Sequence, residues 1–132
     1  MTEKKILYVS KNDSALSQIA AAYTQLYGGS RLEVESCGWE DSKELDPDMI
    51  ESMHEKGVDM GYRIPDTFDD KLKNYTPDIV IYMDSKQGNP VINNAVEIQW
   101  NVNESDAGSL EDMKKIRDDI EVRVKDLIEE IK

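Results

Sequence analysis

Cysteine and histidine are nearly absent from this chain. A lone cysteine, Cys37, builds no internal disulfide framework, and with a single histidine, His54, it makes no Cys/His zinc site. Basic residues are also scarce. Lys and Arg total 16 against 28 Asp and Glu, a formal net charge of −12. A protein that grips a phosphate backbone needs the opposite sign, so nucleic acid is not an expected partner. Long apolar runs are missing too. No stretch approaches the ~18 residues of a membrane span, and the opening MTEKKILYVS lacks a signal-peptide pattern. A cytoplasmic protein without a membrane partner is the expectation. A hydrophobic content of 39% argues against a disordered acidic chain. The 132 residues form one expected domain, 1–132, large enough to bury roughly two-thirds of its unfolded surface without a disulfide or metal staple.

The charge is unevenly spread. Residues 1–37 are neutral, 38–103 carry a net −8 and 104–132 a net −4. Ile6-Leu7-Tyr8-Val9 is a continuous apolar run, the pattern of a buried strand. Leu16, Ile19, Ala20, Tyr23, Leu26 and Tyr27 then recur every three or four residues, a helical stripe. Asp13 or Ser14 can cap its start, and Gly28-Gly29 can end it. Leu32 to Ser36 alternates like a strand. Asp46-Pro47 reads as an N-cap followed by a proline at the first helical position, with Met49, Ile50 and Met53 as the apolar face and Gly57 closing the helix. A short helix is expected from Thr67 to Asn74. Ile79 to Met83 is a second continuous apolar strand, and Val96 to Trp100 alternates. Ser109 resembles a capping residue for a long last helix carrying Leu110, Met113, Ile116, Ile120, Val124, Leu127 and Ile131.

Strands that alternate with helices imply an α/β fold of three layers, α/β/α, around a mostly parallel sheet. Placing the two continuous apolar strands centrally gives four strands in the order 2-1-3-4. Ligand sites in such sheets lie beyond the carboxyl ends of the strands. The turn after the first strand, Ser10 to Ser17, leads into a helix N-terminus whose free N–H groups favour anions.

Val9 to Ala20 resembles the phosphate loop of the low-molecular-weight protein tyrosine phosphatases and the thioredoxin-coupled arsenate reductases. The resemblance continues in order through Tyr27-Gly28-Gly29, Glu35-Ser36-Cys37-Gly38, Leu45-Asp46-Pro47 and Met53 to Met60. Asp78 to Ile81, the strand ending at Trp100 and Ile116 to Ile120 extend it to about 120 residues. It implies a phosphotyrosine phosphatase I-like fold and an anion loop made of Ser10, Lys11, Asn12, Asp13, Ser14, Ala15, Leu16 and Ser17.

The family's chemistry is missing from that loop. The resemblance places the cysteine nucleophile at Ser10, whose hydroxyl is far harder to ionise than a thiol. It places the arginine that clamps two oxyanion oxygens at Leu16, which has neither donor nor charge. The loop glycine is Asn12 and the loop asparagine is Asp13, expected to set a negative charge beside the anion pocket. The family's general acid falls at Glu104, or at Asp106 if the loop is slightly offset. The two further cysteines that the reductases need are absent from Met83 to Asn93, and Cys37 sits at an ordinary strand position. An engineered cysteine-to-serine exchange would account for Ser10 but not for Asn12, Asp13 or Leu16.

Other candidates have plain readings beside functional ones. Lys11 is an anion ligand or a solvated lysine, and His54 a catalytic group or an outer residue of the second helix. Trp39 is a wall of the site or a packing residue. Asp69-Asp70, Asp118-Asp119 and Glu129-Glu130 point in different directions on their helices and suit solvent better than metal. The expectation is therefore a catalytically inactive family member with a binding or regulatory role, no catalytic residue, no cofactor and no metal. Residual phosphatase or arsenate reductase activity through an unrecognised nucleophile is one alternative. An acidic protein-interaction module is another, with a protein partner of unknown kind.

Overall fold

The computed structural model describes residues 4–84, 92, 94–103 and 106–131. Four strands form one sheet: β1 (Lys4–Asn12), β2 (Leu32–Glu40), β3 (Ile79–Tyr82) and β4 (Val96–Gln99). Their order is β2-β1-β3-β4, and every neighbouring pair is parallel. The expected topology and the central placing of the two apolar strands are both found.

Alternation along the central strands divides the core into two. Ile6, Tyr8, Ile79 and Ile81 face one side, where they meet α1 (Leu16–Gly28), α2 (Pro47–Glu55) and α4 (Leu110–Glu130) through Ile19, Met49, Met53, Ile120 and Val124. Leu7, Val9, Val80 and Tyr82 face the other side and pack with Phe68 and Tyr75 at the ends of α3 (Phe68–Asn74). This two-sided burial is why the strands read as unbroken apolar runs. The edge strand β4 is wetter, with Val96 60% exposed.

Two expected caps, Asp46 and Ser109, are present, and Thr67 adds a third. Asp46 accepts from the Asp48 and Met49 N–H groups, Thr67 from Asp70, and Ser109 from Asp112. Gly57 turns the chain after α2 at φ +77°. The first helix departs from expectation. Neither Asp13 nor Ser14 caps it: the N-cap position is Ala15, with no side-chain bond to the helix. Both side chains are used elsewhere. The first strand is also longer than its apolar run, because Ser10 and Asn12 stay in register with Gly38 and Glu40 of β2. Gly38 permits this close pairing. A Cβ there would lie 2.4 Å from the Asn12 Cα and 2.5 Å from the Asp13 N.

Candidate functional site

The strand-to-helix turn is drawn in on itself. Because β1 runs to Asn12, the backbone of residues 10–12 belongs to the ladder with β2, and only Asp13 to Ala15 remain to turn the chain into α1. Ser10, Ala15, Leu16 and Ser17 are all fully buried. The Ser10 hydroxyl lies 2.7 Å from the Asn12 carbonyl oxygen and 2.7 Å from Ser17 Oγ. Asn12 turns its side-chain oxygen towards the helix start, where it accepts from the Ser14 N–H at 3.3 Å and from the Ser14 hydroxyl. An amide oxygen of the protein thus occupies the role of acceptor for the turn's donors.

Asp13 differs from expectation in its direction. Its carboxyl points beneath the turn instead of towards an open pocket and is 1% exposed. Ser17 Oγ donates to Oδ1 at 2.6 Å, while Oδ2 accepts from Ser36 Oγ at 3.1 Å and from the Asp66 N–H at 3.0 Å. Gln18 donates its amide to the Asp13 carbonyl at 3.1 Å. Burial raises the carboxyl pKa from 3.8 to about 6, against the lowering effect of these bonds and of Lys71. Lys71 itself pairs with Glu35 at 2.6 Å and Asp66 at 3.1 Å.

The remaining candidates stand apart from this cluster or support it from outside. Leu16 joins the main core beside Ile19 and Met49. Lys11 is exposed, and its N–H donates to Asp84 Oδ2 at 3.1 Å. Glu104 lies outside the described residues. Asp106 is exposed and its N–H meets the Asn103 carbonyl; among the described residues no hydrogen bond or ion pair joins it to the turn. Trp39 stacks on Tyr82 at 5.9 Å and 5° and tilts against Phe68 at 4.5 Å, which is the packing reading. Cys37 is fully buried, and burial beside the Asp13 charge pushes its thiol pKa well above the ordinary value. That is the reverse of what a reactive thiol needs. His54 is exposed on α2. Among the described residues no three acidic, histidine or cysteine side chains gather as a metal site. No helix there is long and apolar enough to cross a membrane.

Two members of the cluster, Ser36 and Asp66, escape a sequence reading. Ser36 sits opposite Tyr8 in the sheet register, a placement that alternation along β2 hints at. Asp66 is 53 positions from Asp13, and no local pattern signals the contact. It arises because the segment before α3 lies along β2, where Gly38 donates to the Asp66 carbonyl at 2.9 Å and bridges to Thr67.

This strand-turn-helix beneath a 2-1-3-4 parallel sheet is the arrangement of a known family. Residues 5–132 match the family described as low molecular weight phosphotyrosine protein phosphatase, and the chain belongs to it. A glutaredoxin arsenate reductase of Synechocystis is 29% identical over 134 residues, spanning 97% of this chain and 98% of that protein. Arsenate reductase 1 of Staphylococcus epidermidis is 24% identical, spanning 94% of this chain and 95% of its own. A solved arsenate reductase in the phosphate binding state superposes with a TM-score of 0.84 at 29% identity, over 98% of this chain and 99% of that one.

Proposed function

We propose that this chain is a single-domain, catalytically inactive member of the low-molecular-weight phosphatase and arsenate reductase family, retained for a binding or regulatory role. The observation that carries the reading is the state of Ser10. The residue at the family's nucleophile position is fully buried, with its hydroxyl held between the Asn12 carbonyl and Ser17 Oγ. A hydroxyl so engaged has no access to a substrate, and the Asp13 carboxyl is joined to it through Ser17 without touching it. The buried, uncharged Leu16 at the clamp position supports the same reading. Catalysis in such a loop depends on charge placed against a developing oxyanion, and the loss of even one donor costs a hundredfold or more.

Weak anion binding follows from the same features. One unit charge at ~4 Å and an effective dielectric of ~20 is worth about 4 kcal/mol before solvation. That is comparable with the ~4 kcal/mol of a millimolar affinity. The Asp13 carboxylate adds repulsion from beneath the turn, and the Asn12 amide oxygen competes with the anion for the turn's donors.

The names of the relatives favour the second reading, arsenate reduction through a nucleophile outside the family pattern. One set of assays separates the two. The purified protein is offered an aryl phosphate, and arsenate with thioredoxin or with glutaredoxin and glutathione. Rates equal to the protein-free control, for the native chain and for Ser10→Cys alike, are the expected result. Turnover above control that persists in Ser10→Ala establishes the second reading, and turnover that disappears in Ser10→Ala refutes inactivity by making Ser10 itself the nucleophile. In parallel, phosphate is titrated while the amide resonances of residues 10–17 are followed. Flat shifts to tens of millimolar are expected, and saturation at micromolar phosphate refutes the weak-binding argument.

A further inference from the structure

The hydrogen bonds beneath the turn do not balance when every group carries its usual charge. Three oxygen–oxygen contacts run in series: Asn12 O to Ser10 Oγ at 2.7 Å, Ser10 Oγ to Ser17 Oγ at 2.7 Å, and Ser17 Oγ to Asp13 Oδ1 at 2.6 Å. Each needs one proton between its oxygens. Ser10 and Ser17 bring one hydroxyl proton each. An ionised Asp13 brings none, so one of the three contacts is then two oxygens with nothing between them. A proton on Asp13 Oδ1 completes the series: the carboxyl donates to Ser17, Ser17 to Ser10, and Ser10 to the Asn12 carbonyl. The other carboxyl oxygen keeps its two donors, Ser36 Oγ and the Asp66 N–H.

We propose that Asp13 is a proton switch for the strand-to-helix turn, closing residues 10–17 against the Asp66–Thr67 segment when protonated and releasing them when ionised.

The charges around Asp13 favour this behaviour. From β2, Glu35 and the Cys37 thiol face this side. From the segment before α3 comes Asp66, and from α3 Lys71, whose ammonium is already shared between Glu35 and Asp66. α1 contributes Ser17 and Gln18, both uncharged. Asp46, at the start of α2, turns its carboxyl to its own helix and meets the turn only through its N–H, which donates to the Ser14 carbonyl at 2.9 Å. Among the described residues no cation touches Asp13. An ionised carboxylate there is buried with no cation in contact, only the more distant Lys71 already shared with Glu35 and Asp66, and opening the turn lets water reach it.

Opening is governed by linkage. With a carboxyl pKa of about 6 in the closed turn and 3.8 when solvated, the equilibrium for opening rises on the order of 25-fold between pH 4.5 and 7.5. An asparagine at the same position keeps the geometry, since Nδ2 can donate to Ser17 and Oδ1 can accept from Ser36 and Asp66, but it has no proton to lose. The switch rests on these buried contacts and is independent of any catalysis at Ser10.

The test is amide hydrogen exchange by NMR from pH 4.5 to 7.5, corrected for the intrinsic pH dependence of exchange, on the native chain and on Asp13→Asn. The Asp13 carboxyl carbon is titrated in the native chain, a measurement that needs no variant. The expected result is a carboxyl midpoint between pH 5 and 7. Amides of residues 10–17 and 66–67 exchange faster than those of β3, which report global unfolding. Their opening rises on the order of 25-fold in the native chain and stays within about twofold in Asp13→Asn. A carboxyl midpoint below pH 4.5 overturns the proposal. So do turn amides that exchange no faster than β3, or a pH dependence that survives Asp13→Asn.

Discussion

Asp13 shows how one side chain changes character with direction. In sequence it is a turn aspartate beside a helix start, where an acid ordinarily caps the helix or meets solvent. In the fold it is swallowed by the turn, because the Ser17 and Ser36 hydroxyls and the Asp66 N–H converge on it from three separate segments. The consequence for stability has a definite sign. A carboxyl whose folded pKa is raised contributes most fully below its unfolded value and loses that contribution as pH rises through the folded value, here between about 4 and 6. Asp13→Asn should therefore match the native chain near pH 4 and gain on it towards pH 7.5, by roughly 2–3 kcal/mol for a shift of about two units. Urea unfolding of both chains at the two pH values measures the difference. A constant difference across the range would place the Asp13 pKa near its ordinary value.

At the scale of elements, the caps and the sheet contacts follow different logics. Asp46 is legible from sequence because a cap is local: its carboxylate needs only the N–H groups two and three residues on, and Pro47 has no N–H to satisfy. Asp46→Ala should cost about 1 kcal/mol of unfolding free energy, with thermal or urea denaturation as the readout. Asp46→Ser should recover most of it. The strand boundaries are set by partners instead. β1 passes its apolar run because Gly38 lets β2 approach Asn12, and β2 passes Ser36 because the Asp66–Thr67 segment lies along its other edge. A polar strand end paired on a glycine carries no periodic signal, so pattern alone ends both strands too soon. α4 is joined to α2 by Arg117, whose guanidinium is nearly buried and reaches the Ser52 carbonyl at 2.8 Å and Glu55 at 3.0 Å. Lys114 adds a second pair to Glu55 at 2.7 Å. The helical stripe places α4 on the core but says nothing of these cross-links.

The whole molecule carries a net −12, and the acids concentrate downstream of the turn. Self-repulsion of that size opposes compaction and is long-ranged at low ionic strength. Raising salt from about 20 mM to about 500 mM at pH 7.5 should therefore raise the urea midpoint, by screening unpaired acids more than it weakens exposed pairs such as Lys73–Asp70. A midpoint that falls with salt would mean that the ion pairs around Glu55 and Lys71 outweigh the general repulsion.

The sequence by itself determined the class of fold, the strand order, the helix faces and the local caps at Asp46 and Ser109. These depend on periodicity and on side chains that act within a few residues. The resemblance read from it further implies that Ser10 and Leu16 stand at the nucleophile and clamp positions of the family's loop, a reading that needs no coordinates. Only the tertiary structure decided that the first strand continues to Asn12, that Asp13 faces inward, and that Ser36 and Asp66 hold it there. Those facts depend on segments up to 53 positions apart meeting at one buried point. The ionisation of a buried acid is fixed by what surrounds it in space, and spacing along the chain does not record that.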